Sequence, residues 1–371
     1  MTDWTTLVAP ALTELEFDPF DIGGVAETKA RHGLEEVLKL HWNENLFGPL
    51  PAVLEAVQEE LANVWMYPEE AYADFRADVA AVLGTSPSRI FPGHGTQALI
   101  GVLATALLRP GDHVVVPSLT YYLYGRVCSA RGATVHPVPL RELRIDLDAL
   151  LETARETRAR VIWICDPNNP TGDVLEREEW AAFHEALPDE CVAVVDEAYV
   201  DYLPLARRVP RLRDIEAGRP LVVLRSFSKF FGLAGLRLGY AVADEALVSY
   251  LARVEEPYNV NSAALAAGRA CLRADEAAEE RRLEVAAGRG ALFRGLQDAG
   301  LEPLTSEANF VMAQVDVDDA ALAEGLAARG ILIRPGTDFG LPGYVRITVG
   351  PSLLMERVTA EIRDVCAALR R

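Results

Sequence analysis

Three apolar runs in the middle of the chain each stop abruptly at polar residues: ARVIWICDPNNPTG, CVAVVDEAYV and RPLVVLRSFSK. Short runs rich in Val and Ile, separated by helical segments, read as parallel strands buried on both faces of an α/β sheet. In open sheets of this kind ligands collect beyond the carboxyl ends of the strands. Asn169, Asp196 and Lys229 stand at those ends and are expected to converge on one crevice.

The flanking sequence completes an α/β pattern. PAVLEAVQEELANV has apolar residues at helical spacing, DHVVVP is a short β-branched run, and RELRIDLDALLETARE leads into a further helix. After RVEEPYNVNSAA, a charged, Ala-rich stretch from Ala263 to about Ala299 reads as one long connecting helix. The tail, with ANFVMAQV, GILIRPG, GYVRITVG and a last helix, reads as a smaller α+β unit. A chain of 371 residues exceeds the roughly 250–300 that one core supports. The expected division is an N-terminal arm joining the small domain (1–47), a large domain with a mostly parallel sheet flanked by helices (48–258) and the small domain (259–371).

Charge and cysteine content narrow the function classes. A net charge of −19 opposes a phosphate backbone, so nucleic acid is not expected as a partner. The five cysteines are scattered with no C-x-x-C pair, which predicts reduced thiols and no metal site. The first 20 residues lack a basic and apolar leader, and no apolar run reaches ~18 residues. The expectation is a soluble cytoplasmic protein without membrane contact.

In SFSKFFGLAGLRLGY, Lys229 follows a strand and is flanked by Ser226 and Ser228. A lysine so placed is either a snorkelling surface charge or an amine that forms a Schiff base once burial and nearby cations lower its pKa. Arg237 suits a phosphate, because its fork makes paired charge-assisted bonds. Asp196 is a carboxylate at the end of an apolar strand and needs a cationic partner, unless it caps a helix or binds a metal. In FPGHGTQALIGVLATALL, Gly95, Thr96 and Gln97 open a helix whose free N–H groups favour a phosphate. The same string fits G-x-G-x-x-A, but the preceding strand is short and no acidic residue follows at a strand end about 20 residues on, as a dinucleotide site requires.

Taken together, NEN (Asn43 to Asn45), YPEE, NNPTG, VVDEAY, SFSKFFGLAGLRLGY, ANFV and YVRITVG resemble, in order and spacing, the pyridoxal-phosphate-dependent aminotransferases of fold type I. Within that family they resemble the histidinol-phosphate aminotransferase branch, from GLEEVLKLHWNENLFGP to the C-terminus. The resemblance implies that Lys229 carries pyridoxal 5'-phosphate and shuttles the proton, that Asp196 faces its ring nitrogen, and that Asn169 and Tyr199 face its ring hydroxyl. Tyr121 matches the aromatic residue stacked on the ring. The phosphate falls to Gly95, Thr96, Gln97, Ser226, Ser228 and Arg237, with Tyr67 reaching from a second subunit of a homodimer. Arg346 matches the arginine that fixes the substrate's anionic group, Arg334 matches a second arginine that histidinol-phosphate enzymes use for the substrate phosphate, and Asn45 and Asn309 match positions near the site. The implied partners are a small-molecule amino donor and a 2-oxo acid acceptor.

The chain also departs from that branch. Phe20, in DPFDIGG, stands where a phosphate-binding tyrosine is usual, and losing a hydrogen bond to a charged group costs roughly 1.5–3 kcal/mol. GHGTQA replaces a Ser-Asp-Glu or Ser-Asn-Glu run, which leaves backbone contacts intact. His41 and Trp42 precede Asn43 where smaller residues are usual, so Trp42 either lines the substrate pocket or packs the arm. Histidinol phosphate is the expected substrate; an aromatic amino acid, decarboxylation of a phosphorylated amino acid, or a non-catalytic cofactor-binding regulator are the alternatives.

Overall fold

The computed structural model describes residues 2–13, 15, 24–69 and 71–371. Among them a first short strand, β1 (Leu38–Lys39), is followed by seven that form one sheet: β2 (Ile90–Gly93), β3 (His113–Pro117), β4 (Thr134–Val138), β5 (Val161–Cys165), β6 (Val192–Asp196), β7 (Leu221–Ser226) and β8 (Gly239–Val242). Their order is β2-β8-β7-β6-β5-β3-β4, and only the pairings of β8 are antiparallel. The GHGTQA turn therefore follows an edge strand paired antiparallel, which is not a dinucleotide-binding βαβ unit.

Strand alternation explains why β5, β6 and β7 are apolar almost throughout. Val161 and Trp163, Val194, and Val222 and Leu224 enter one core, while Ile162 and Ile164, Ala193 and Val195, and Leu221 and Val223 enter the other. Helices cover both faces. The helix Gly95–Leu107 adds Leu99, Ile100, Leu103 and Ala104 to the first core, the face toward which Asp196 points by its alternation with Val194.

The C-terminal part holds β9 (Glu302–Pro303), β10 (Phe310–Gln314), β11 (Ile331–Leu332), β12 (Arg334–Pro335) and β13 (Tyr344–Thr348). Four of these form an antiparallel sheet in the order β12-β13-β10-β9, and β11 pairs in parallel with β1. That last pairing stitches the N-terminal segment to the C-terminal part.

The single connecting helix expected from Ala263 to Ala299 is two helices, Ser262–Leu272 and Asp275–Asp298. The first is capped by Asn261 and packs on the helix Pro51–Glu60, while the second packs on Ser352–Leu369. The break falls at Arg273 and Ala274, just before Asp275 and Glu276, whose carboxylates favour a new helix N-terminus.

Candidate active site

A cavity of about 860 Å³ opens at the carboxyl ends of β5, β6 and β7 and is closed on its other side by β13 and residues 39–44. Lys229, Asp196, Tyr199 and Asn169 line it together, as do Thr96, Gln97, Tyr121, Ser226, Ser228, Arg237, Arg334, Arg346 and Trp42.

Lys229 follows β7 and points its amine at the carbonyl of Trp42, to which Nζ donates at 2.9 Å. Burial, followed by repulsion from Arg346 and Arg237, lowers its pKa to about 8. The amine is thus ready to lose its proton near neutrality.

Asp196 is buried, and its carboxylate accepts from the hydroxyl of Tyr124 at 2.8 Å and from the Ala198 N–H at 3.1 Å. Burial nevertheless raises its pKa to about 6, because these two neutral donors do not replace a counter-charge. Tyr199 sits edge-on to Phe310, and its hydroxyl accepts from Nδ2 of Asn43 at 3.1 Å. The Tyr199 O–H remains available as a donor.

Next to Lys229, a polar ladder runs from Ser228 through Arg237 to Gln97 at the helix N-terminus. Arg237 donates to Oγ of Ser228 at 3.3 Å and to Oε1 of Gln97 at 3.0 Å, and Gln97 donates to the Tyr121 hydroxyl at 2.6 Å. Gly95 has φ +75°, and a Cβ there would lie 2.8 Å from the Arg237 guanidinium. The glycine lets the arginine close over the first turn of the helix. Arg237 has no ion pair among the described residues, so the N–H groups and guanidinium form a cradle for an anion.

Arg346 is buried, donating to Oδ1 of Asn169 at 2.5 Å and to the carbonyl of His41 at 2.6 Å. Burial lowers its pKa to about 10, and no carboxylate pairs with it among the described residues. Arg334 stands directly across the β12–β13 pairing from Arg346 and is held by Asp338 at 2.7 Å. Its guanidinium lies 5.7 Å from the ring of Trp42 and 5.5 Å from that of Phe339.

Among the described residues, Asn45, Asn309, Gly95 and Tyr67 of the sequence-predicted set do not line this cavity. Asn45 turns away, donating to the Phe230 carbonyl and accepting from the Phe47 N–H. Gly95 contributes backbone beneath Arg237. Tyr67 is 81% exposed and stacks on Tyr258 at 4.7 Å, outside the lining of this cavity. Phe20 lies outside the described residues.

Sequence reasoning missed Asn43 and Tyr124. Asn43 takes φ +55°, a conformation asparagine tolerates better than most residues, and that twist aims its side chain rather than that of Asn45 into the site. Asn309 supports it by donating to the Asn43 carbonyl at 3.0 Å. Tyr124 was signalled by its spacing, three residues after Tyr121 at a helix start, with their rings 5.5 Å apart.

The donor set fits pyridoxal phosphate: an amine of lowered pKa, a buried carboxylate without an ion pair among the described residues, and an anion cradle in the same cavity.

Comparisons with known proteins agree with this chemistry. A family described as aminotransferase class I and II matches residues 35–362. The chain is 33% identical to a histidinol-phosphate aminotransferase of Brevibacillus brevis over 344 residues, 92% of this chain and 93% of that one. It is 36% identical to histidinol-phosphate aminotransferase 1 of Thiobacillus denitrificans, covering 93% and 90%. The structure superposes on histidinol-phosphate aminotransferase from Sinorhizobium meliloti in complex with pyridoxal-5'-phosphate with a TM-score of 0.90, at 28% identity and 98% coverage of both chains. An aspartate aminotransferase of Thermus thermophilus with maleate shares the fold at a TM-score of 0.82.

Proposed function

The chain belongs to the class I and II aminotransferases, and from that membership we propose that it moves the amino group of histidinol phosphate to 2-oxoglutarate, using pyridoxal phosphate. The products are imidazole acetol phosphate and glutamate. One observation carries the choice of substrate. Arg334 and Arg346 are cross-strand partners facing one cavity, and like charges directly opposite on a sheet repel. Asp338 compensates Arg334 alone, so an anionic substrate group is the fitting counter-charge for the pair.

The cofactor, when bound, supplies a conjugated ring that takes up the electron pair left as the substrate Cα–H bond breaks. Lys229 binds it and, as a free amine, removes the proton from Cα and returns it on the other side of the transfer. Asp196 would keep a ring nitrogen protonated, while Asn169 and Tyr199 would hold a ring oxygen. Tyr121 would pack on the ring. Ser226, Ser228, Arg237 and the backbone at Gly95 to Gln97 hold the phosphate.

The proposal includes a homodimer in which Tyr67 completes the partner's phosphate site. Its support is the exposure of Tyr67 beside an equally bare Trp65, on a surface outside the lining of its own cavity. Placement in the cytoplasm accords with the five reduced cysteines, and no described helix is long and apolar enough to cross a membrane. Trp42, which lines the cavity, favours a second reading in which an aromatic amino acid is the donor.

Single-turnover spectra of the loaded protein with histidinol phosphate, phenylalanine, tyrosine and glutamate separate the two. Histidinol phosphate reacting at least about tenfold faster than the aromatics supports the first reading, since a tenfold ratio is about 1.4 kcal/mol of transition-state preference. An aromatic donor that reacts faster replaces it.

A further inference from the structure

Behind the cavity lies a chain of buried charges that takes no part in the steps above. Arg211, in the turn before the short helix Leu212–Glu216, is 2% exposed and does not line the cavity. One terminal nitrogen pairs with Asp166, and the other with Oε1 of Glu197 at 2.7 Å. The Trp180 ring lies 4.4 Å from the guanidinium carbon. The second oxygen of Glu197 pairs with Nε of Arg225 at 2.6 Å.

The acids and Arg225 each adjoin a residue of the site. Asp166 follows β5 and opens the turn that carries Asn169; its Oδ1 accepts from the Leu175 N–H at 3.0 Å, which closes that turn from behind. Glu197 comes directly after Asp196, and Arg225 directly before Ser226, on the strand that leads to Lys229. Backbone bonds tie the same three strand ends, with the Asp166 N–H donating to the Asp196 carbonyl at 3.0 Å and the Glu197 N–H to that of Leu224 at 2.9 Å.

Arg225 also pairs with Asp201 at 3.6 Å, and Asp201 with Arg208 at 3.0 Å, so three carboxylates and three guanidiniums balance in charge, but taking them largely out of water is costly. A well-packed apolar cluster of the same volume is often as stable or more so. Such a cluster fixes no direction, whereas ion pairs with defined geometry do. Resting on the reading of function given above, we propose that Arg211 is a positioning residue: by holding Asp166 and Glu197 in one clasp it sets the ends of β5 and β6, and thereby aims Asn169 and Asp196 at the cofactor ring.

The test uses the holoenzyme and its apoprotein with Arg211→Met, Arg211→Lys, Glu197→Gln, and, as a core control outside the clasp, Leu292→Ala in the helix Asp275–Asp298. Four quantities are read: thermal midpoint, Kd for pyridoxal phosphate, the pH midpoint of the bound cofactor's absorbance, and kcat and KM for the amino donor. Arg211→Met is expected to weaken cofactor binding and lower kcat by about 10- to 100-fold, the scale of a misplaced supporting group. It also moves the pH midpoint, while KM changes less, and Arg211→Lys recovers part of each. An Arg211→Met protein that merely melts earlier, like Leu292→Ala, with Kd and pH midpoint unchanged, overturns the proposal. Should Arg211→Met not fold, wild-type Kd and pH midpoint in both Arg211→Lys and Glu197→Gln overturn it equally. A wild-type protein that takes up no cofactor fails before any variant is compared, and sinks the reading of function along with it.

Discussion

The guanidinium of Arg346 on β13 donates to Oδ1 of Asn169, 2.5 Å away beyond the end of β5. This bond links the C-terminal sheet to the loop that carries Asn169. The same guanidinium holds the carbonyl of His41, and the next carbonyl, of Trp42, holds Lys229. Under the proposed function, a substrate held at Arg346 would thereby be tied to the position of the Lys229 amine.

Arg346→Gln should raise the KM of every amino donor by about 10- to 150-fold, the equivalent of a lost charged hydrogen bond. Arg334→Gln should raise it for histidinol phosphate and leave glutamate within about threefold, since one charge-assisted contact differs between the two. Steady-state kinetics with both donors separates these outcomes. Equal effects of Arg334→Gln on both donors would remove its assignment to the substrate phosphate.

Lys229→Ala should abolish the absorbance of covalently held cofactor and lower turnover on the order of 10⁴-fold, the upper range for loss of a proton-transfer group. Absorbance spectra and single-turnover assays read it. A variant that still transaminates at a comparable rate would contradict the role of the amine.

Asp196→Asn keeps the shape of the buried side chain and its hydrogen bond with Tyr124 but removes the charge. Turnover should fall by about 100-fold or more, as when a preorganised electrostatic partner is lost. Cofactor content, measured after dialysis, should fall far less. Unchanged turnover would deny Asp196 its place opposite the ring nitrogen.

The pKa of Lys229 near 8 sets a pH dependence. A cation whose pKa is lowered is charged below that value and neutral above it, and only the neutral amine attacks a carbonyl. The rate at which apoprotein captures pyridoxal phosphate should rise about tenfold per pH unit below 8 and level off above it. Arg346→Gln, by removing a repelling charge, should move the levelling point upward. Stopped-flow absorbance from pH 6 to 10 measures it, and a wild-type rate still climbing toward about 10.4, the ordinary lysine value, would refute the lowered pKa.

Much of the site was legible because its residues sit at strand ends, where an apolar run meets a charge with no local partner. Asp196 and Lys229 are of this kind, and the glycine at 95 marks the turn that Arg237 covers. Asn43 was not separable from Asn45 by pattern. The difference is a positive φ at one of two identical residues two positions apart, and it depends on contacts with Tyr199, Thr348 and Asn309 far along the chain. The Ala-rich stretch misled for a related reason: high helix propensity runs through Arg273 and Ala274, and the break reflects two packing partners rather than a breaker residue.

What the sequence determined by itself was the kind of chemistry: apolar periodicity specified buried strands, and polar residues at their ends specified a carboxylate, an amine and an anion cradle on one edge. Tertiary structure alone decided which groups act on one another. The Arg211 clasp, the facing of Arg334 and Arg346, the pairing of β1 with β11 and the Tyr124 bond to Asp196 join residues remote in sequence. Periodicity reports which side of an element is buried; burial then forces each polar group to find a partner, and only the packed chain brings that partner within reach.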